Sequence, residues 1–449
     1  MKEWLKVIID LPSSVQKIIN VLQSNGYEAY VVGGCVRDSL LGKAPHDWDI
    51  TTNALPDQTM KCFDDYKIIE TGLKHGTVTV MIGNEPFEIT TYRIDGEYSD
   101  NRHPDTVKFV SNLKEDLSRR DFTINAMAYN PSDGLIDYFN GQIDLQSKAI
   151  RCVGNPNTRF QEDALRIMRA IRFASVYGFC IQTATAQAIN DNKELLDNIA
   201  MERINVELSK MICGKGAKRM LLQFSNIISL IIPEFKDCLK FNQNNPYHYL
   251  NVWEHTVESI NQAPSNNVLR LTMLFHDIGK PLCYSEDENH IGHFYGHPQI
   301  SSDIAVEVLK RLRYDNYTLM RVRDLISYHD ADILPKNKSV KRWLNKIEEE
   351  TFRQLLDVKR ADIKAQVEEY KDDRLKVLDD VENCLNQVLE QRQCFCIKDL
   401  MVNGHDLMSL GIPEGQKIGI TLHNLMDMVI NDEIENDKEK LLSYVKTAI

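Results

Sequence analysis

Asp47 and Asp49, one residue apart, follow the segment Gly33-Gly34-Cys35-Val36-Arg37-Asp38. On a strand, residues i and i+2 share a face, so these carboxylates would stand side by side. Like charges that close are costly until divalent cations neutralise them. Hard oxygen ligands suit Mg²⁺, and Mg²⁺ beside a glycine turn that lets the backbone approach a ligand implies phosphoryl-group chemistry. A bare Asp-x-Asp also fits a solvated turn or a helix cap; the glycine turn before it favours the metal reading. Phe87-Glu88-Ile89-Thr90-Thr91-Tyr92-Arg93 alternates as a strand does. That makes Glu88 a candidate third carboxylate, although an exposed strand glutamate accounts for it equally well. Three carboxylates around two Mg²⁺ ions suit in-line displacement at a nucleoside triphosphate.

Local elements must hold these groups. Tyr30-Val31-Val32 reads as a short buried strand, Gly33-Gly34 as a tight turn, Cys35 to Leu41 as a helix, and Trp48 to Thr52 as the next strand. Strand-like alternation dominates from Tyr27 to about Asp144, and helical periodicity from Thr158 onward. Pro156 marks the entry to the helical part, Pro233 interrupts it, and Asn242 to Tyr247 reads as a polar linker. Residues 363–389 read as a charged helix. The tail places Gly404, Gly411, Gly415 and Gly419 around Lys398, Asp406 and Lys417.

The run from Gly33 to Asp38, with Leu41-Gly42 and Asp47-Trp48-Asp49, resembles the signature of the bacterial class II tRNA nucleotidyltransferase and poly(A) polymerase family, within the polymerase-β nucleotidyltransferase superfamily. Further similar motifs follow in order: Leu73 to Val78, Phe87 to Arg93, Arg119 to Ala128, Asp137 to Asp144, and Glu162 to Arg169. The resemblance implies that Gly33, Gly34 and Arg37 help to bind the nucleotide. Arg119 and Arg120 could grip phosphate oxygens in fork geometry. Asp121 could accept from a ribose 2′-hydroxyl, with Asn125 on the same helical face; a surface capping box would explain both as well. Asp163, Arg166 and Arg169 recur every three residues on an amphipathic helix. In the resembled family a carboxylate–guanidinium pair here reads CTP and ATP without a template, whereas the bland alternative is a surface ion pair of little worth. The polar stretch Gly96 to Asp105 matches a loop that helps that family switch from cytidine to adenosine addition, although His103 stands where a second arginine is common.

A second constellation comprises His255, His276-Asp277, His297, His329 and Asp362. These supply N and O ligands for one or two transition metals or Mg²⁺, a set able to activate water against phosphoesters. Their order resembles an HD-type phosphohydrolase domain; such folds also persist as RNA-binding scaffolds.

The 449 residues exceed what one core usually organises. Charged residues at 26% and hydrophobic ones at 43% describe a globular protein. No membrane-length apolar run and no signal-peptide pattern are present, and ten cysteines form no disulfide framework, which fits reduced thiols in a cytoplasm. The net charge of −12 is uneven: residues 151–240 carry 13 Lys+Arg against 9 Asp+Glu, while residues 241–449 carry 25 against 34. The positive segment is where RNA phosphates would be tracked.

The expected architecture is an α+β nucleotidyltransferase head with a mixed sheet (1–150), an all-α base-selecting and RNA-binding neck (151–240), an HD metal-binding domain (246–365) and a helical tRNA-contacting tail (366–449). The resemblance implies addition of CCA to a tRNA 3′ end from CTP and ATP with Mg²⁺, and no use of DNA or membranes. An adenosine-adding enzyme or a poly(A) polymerase shares the same core. A phosphohydrolase with an inactive head is the reading from another class.

Overall fold

The structure, a computed structural model, describes residues 8–70, 72–96 and 106–448. The expected nucleotide-switching loop therefore lies, but for Gly96 itself, outside the described residues. The chain forms two compact units, Met1–Ile231 and Ile232–Ile449.

In the first unit, helix α1 (Ser13–Ser24) buries Val15, Ile18, Ile19 and Leu22, the spacing of one helical stripe. Strand β1 (Ala29–Val32) is buried along its whole length and ends at the glycine turn that opens α2 (Gly34–Leu40). There follow β2 (Asp49–Thr52), α3 (Pro56–Cys62), β3 (Ile68–Ile69), β4 (Thr77–Ile82) and β5 (Glu85–Thr91). A short hairpin of β6 (Arg93–Asp95) and β7 (Val107–Phe109) precedes α4 (Leu113–Ser118), β8 (Ala128–Asn130), β9 (Gly134–Ile136) and α5 (Gly141–Gln146). Seven strands make one mixed sheet in the order β3-β4-β5-β2-β1-β8-β9. Only β2 and β5 run parallel, with Ile50 opposite Ile89; the other neighbours are antiparallel. Tyr30, Val32, Tyr92, Leu113, Leu117 and Ala128 pack on one side of the central strands.

Small strands β10 (Ala149–Ile150) and β11 (Cys180–Ile181) pair around α6 (Pro156–Glu162) and α7 (Leu165–Tyr177). Helices α8 (Thr183–Asp191), α9 (Met201–Ile212), α10 (Ala217–Gln223) and α11 (Ser225–Ile231) complete the unit.

The second unit is helical apart from the hairpin β12 (Ser285–Glu286) and β13 (Gly292–His293). Its helices are α12 (Val252–Gln262), α13 (Asn267–Phe275), α14 (His297–Arg311), α15 (Asn316–Tyr328), α16 (Asn337–Lys364), α17 (Lys371–Glu390), α18 (Gly404–Ser409), α19 (Gln416–Ile430) and α20 (Lys438–Ala448). Helix α16 is broken at Glu348, whose φ of 61° is non-helical. The glycine-rich tail has its own core, centred on Val402, Leu407, Leu425, Met426 and Leu441. No helix among the described residues is long and apolar enough to cross a membrane. All ten cysteines are free thiols.

The expected linker from Asn242 to Tyr247 is instead tied into the second unit. Gln243 is buried and accepts from Lys280 Nζ at 2.8 Å, and Asn245 donates to the Gly292 carbonyl. Polar side chains there satisfy buried partners, so their composition mimicked a solvated loop.

Candidate functional site

The first unit carries a cleft of about 750 Å³ lined by His46, Asp47, Trp48, Asp49, Thr79, Phe87 and Glu88, among others. Strand β2 begins at Asp49, so Asp47 lies on the extended approach to the strand and not within it, one step short of the expected placement. The parallel register of β2 and β5, extended by one residue, sets Asp49 beside Glu88. The three carboxylates share the cleft, though they are not drawn into a cluster within 4.8 Å of one another. Asp49 keeps solvent-accessible surface, yet the cleft walls crowd its carboxylate. That desolvation raises its pKa; Arg120 opposes the rise and Asp47 adds to it.

Gly33 has φ +80°, a conformation L side chains rarely adopt. A Cβ there would also lie 2.9 Å from Arg120 Nη1, with Asp49 Oδ2 at 3.8 Å. Glycine thus lets the Arg120 guanidinium lie across the turn toward Asp49. The buried Nε of Arg120 has no hydrogen-bond partner among the described residues. Arg119 does not share this placement. It donates from Nε and Nη2 to Asp116 Oδ1, so the expected fork of two arginines reduces to Arg120. Asp116 itself escaped the sequence reading. It is fully buried and also accepts from the Thr51 hydroxyl and the Arg93 backbone N–H, which fixes the arginine pair to the sheet.

Behind the glycine turn runs a buried polar chain. Arg37 donates to Asn125 Oδ1 at 2.6 Å, Asn125 Nδ2 to Asp121 Oδ1 at 3.0 Å, and Arg169 Nη2 to Asp121 Oδ2 at 2.6 Å. Asp121 and Asn125 are adjacent as expected, but across a single 3₁₀ turn (Thr123–Asn125) and not along an α-helix. Burial would raise the Asp121 carboxyl, but Arg169 and Asn125 outweigh it and hold its pKa at about 2. Arg37 also lies over the rings of Phe173 and Tyr177, which ties α2 to α7.

The base-reading trio differs from the expectation. Asp163 sits in extended backbone (φ −136°) between α6 and α7, off the helix that carries Arg166 and Arg169. Its side chain caps the Leu165 N–H and meets Arg203 at 3.3 Å, while Arg166 pairs with Glu162 at 2.6 Å. A three-residue repeat looked helical because the break between two helices leaves no proline or glycine to mark it. Asp163 and Arg166 therefore do not form one carboxylate–guanidinium fork here. Arg169, with Asp121, belongs to the chain behind the turn.

In the second unit all six expected ligands converge from the ends of five helices. His255 lies on α12, His276 and Asp277 just past α13, His297 at the first residue of α14, His329 just past α15, and Asp362 near the end of α16. Asp277 belongs to two donor groups, one with His255 and His276 and one with His297 and His329. Asp362 Oδ1 lies 2.9 Å from His255 Nε2. Backbone carbonyls of Met273, Phe294 and Ile326 face Nδ1 of His276, His297 and His329 at 2.7–2.8 Å. Those bonds put the ring proton on Nδ1 and turn each Nε2 lone pair inward. Two Nε2 atoms then approach each other at 3.3 Å (His255 and His276) and two at 3.2 Å (His297 and His329). At His297 and His329, both held at Nδ1, the facing Nε2 lone pairs repel unless a cation lies between or beside them.

Lys280 Nζ pairs with Asp277 Oδ2 at 2.7 Å, and Nε2 of His276 and of His255 lie 3.3 and 3.4 Å from the same oxygen. Burial would lower the His276 imidazole, yet Asp277 and Asp362 raise it to about 10, a measure of how strongly this spot attracts positive charge. Burial lowers His329 to about 3. Mixed N and O donors with fixed tautomers fit one or two transition-metal ions. A pocket of about 520 Å³ opens onto the cluster. Its lining includes His248, Lys280, Gln366 and Arg374, none of which the sequence spacing singled out.

Comparison with known proteins matches the chain segment by segment. Residues 29–151 match the Poly A polymerase head domain, 178–239 the RNA and SrmB- binding site of polymerase A, and 286–445 the tRNA nucleotidyltransferase domain 2. The chain is 52% identical over 204 residues to the CCA-adding enzyme of Oceanobacillus iheyensis, covering 45% of this chain and 50% of that protein. The chain thus spans about half the length of that relative, whereas it is 33% identical over 434 residues to the CCA-adding enzyme of Lactobacillus johnsonii, covering 95% of both. Among solved structures, the Bacillus stearothermophilus CCA-adding enzyme in complex with CTP superposes with a TM-score of 0.69 at 28% identity, over 96% of each chain. The Thermotoga maritima CCA-adding enzyme complexed with tRNA shares the fold at a TM-score of 0.61 and 20% identity, over 97% of this chain and 94% of that one.

Proposed function

The chain belongs to the bacterial CCA-adding enzyme and poly(A) polymerase family, and we propose that it adds CCA to the 3′ end of tRNA from CTP and ATP. The observation that carries this reading is the cleft in which Asp47, Asp49 and Glu88 face one space, with Arg120 laid over Gly33 beside Asp49. Carboxylate oxygens are the donors Mg²⁺ prefers, and the crowding that raises the Asp49 pKa is relieved when a cation shares the cleft. Bound there, Mg²⁺ ions would lower the barrier to attack by an RNA 3′-hydroxyl on the α-phosphate and steady the leaving pyrophosphate. Asp47 and Asp49 would hold them, with Glu88 as the third ligand. Arg120 supplies positive charge to the triphosphate. Asp121, kept ionised by Arg169, accepts from the ribose 2′-hydroxyl, and Asn125 and Arg37 fix its orientation. Asp163, Arg166 and Arg169 choose the base; Asp163 and Arg166 exchange their present partners, Arg203 and Glu162, for the Watson–Crick edge when nucleotide enters.

The test incubates the protein and Mg²⁺ with tRNA transcripts ending before the tail, after one C, and after CC, each with CTP, ATP or both. A stop at CCA from the shortest transcript is the expected result. Adenosine addition only to the CC-ended RNA would replace it with an adenosine-adding enzyme, and long adenosine ladders with a poly(A) polymerase.

A second activity is favoured by one observation, the inward Nε2 pairs around Asp277. We propose an HD-type metal centre held by His255, His276, Asp277, His297, His329 and Asp362 that hydrolyses phosphoesters. Hydrolysis of a chromogenic phosphodiester by the metal-loaded protein tests it; no turnover with any of Mg²⁺, Mn²⁺, Ni²⁺ or Co²⁺ would reject it.

A further inference from the structure

The second unit holds another concavity, of about 470 Å³, lined by Leu334, Lys336, Lys338, Ser339, Arg342, Trp343 and Lys346. Its walls come from the start of α16, where residues 336–346 carry five cations and no acid, within a stretch (241–449) where Asp+Glu outnumber Lys+Arg by 34 to 25. Elsewhere in this region many cations do find carboxylates. Arg311 pairs with Glu234, Arg360 with Asp379 and Glu382, Lys371 with Glu368, and Lys438 with Asp406. Of the five cations in this run, only Lys341 is paired, turned inward to Asp432 at 2.9 Å. Among the described residues, Lys336, Lys338, Arg342 and Lys346 have no carboxylate within ion-pair distance. Arg342 donates to the neutral amide of Asn431, and Lys346 lies over the Tyr328 ring, 4.0 Å from its centroid, and near Trp343. Of the three glutamates that follow, Glu349 pairs with Arg353, Glu350 pairs with Arg321, and Glu348 is not within ion-pair distance of any of the five.

Four like charges around one hollow repel each other and gain most when a polyanion spans them. The floor adds an exposed Leu334 and a partly exposed Trp343, apolar surface on which a ribose or base can rest. We infer that this pocket binds the sugar–phosphate backbone of the RNA substrate, at a site separate from the nucleotide cleft. The inference rests on the reading that RNA is the substrate.

The test measures equilibrium binding of a CC-ended tRNA transcript to the full chain by filter retention between 50 and 200 mM salt, with the variant Lys338→Glu/Arg342→Glu/Lys346→Glu. Expected are a Kd about tenfold weaker or more at about 0.1 M salt and a log–log salt slope flatter by roughly one unit per lost phosphate contact. CTP binding and the melting temperature should stay at wild-type values, which reports an intact fold. Should the triple variant fail to fold, Lys338→Gln and Arg342→Gln singly should each weaken binding about two- to fivefold, while Lys310→Glu leaves it unchanged. Wild-type Kd and slope in these variants would overturn the inference, including where an acidic protein is what the pocket holds. A wild-type protein that binds tRNA but adds no nucleotide would instead sink the proposed activity and leave this site standing.

Discussion

In the first unit the candidate carboxylates line an open cleft, accessible and loosely spaced, with strand register as their main constraint. In the second, four buried imidazoles and a partly buried Asp362, brought together from five helix ends, surround the buried Asp277, and three of the four rings are held at Nδ1 by carbonyls at 2.7–2.8 Å. A site that must admit a triphosphate and an RNA end, then release pyrophosphate, needs room and ligands that the substrate helps to complete. An N/O cluster complete in the protein alone would hold the proposed metals in the resting molecule. Preorganisation therefore differs with the number of ligands each centre borrows from its substrate.

The strongest way to break the contrast is Asp49→Ala, which should lower nucleotide incorporation by about a thousandfold or more while leaving second-unit metal content unchanged. Single-turnover extension of a CC-ended RNA reads the first effect and elemental analysis the second; loss of both together would mean the centres are not independent. The converse is Asp277→Asn. Bound transition metal should fall by about 10–100-fold in affinity while CCA addition stays within about threefold of wild type.

Asp121→Asn sharpens the comparison from behind the cleft, with an expected loss of about 2 kcal/mol of stability at neutral pH. Asp121 has a folded pKa of about 2 against an ordinary 3.8. Its contribution is therefore fully present above about pH 4 and disappears as pH falls through 2, so the gap between wild type and variant in denaturant melts should close over that range. A gap that persists at pH 2 would show that packing, not charge, sets the cost. The smallest effect is expected for Glu88→Gln, a fall of about tenfold in kcat with little change in KM for ATP, since the substituted side chain keeps one oxygen. A wild-type rate would return Glu88 to an exposed strand residue.

Much of this was legible in the chain because the signals are local. Gly33 requires a positive φ, β1 is short and apolar, and the period of two across Phe87 to Arg93 fixes a face; neighbours a few residues away determine all three. The six metal-ligand candidates were also legible, since their donor types are scarce in a helical chain and their order is distinctive. Other features depended on partners distant in sequence. The role of Asp116 is set by Thr51 on β2 and Arg93 on β6, strands of two different sheets. Asp163 left its helix because Arg203, 40 residues on, and the Leu165 N–H take its oxygens. Gln243 looked like linker because its partner Lys280 comes 37 residues later. Residue type and spacing determined which groups are chemically competent and which strands and helices carry them. Only tertiary structure decided which carboxylate pairs with which guanidinium, which nitrogen of each imidazole faces inward and which lysines stay unpaired, because hydrogen-bond geometry and desolvation depend on atoms that the fold alone brings within reach.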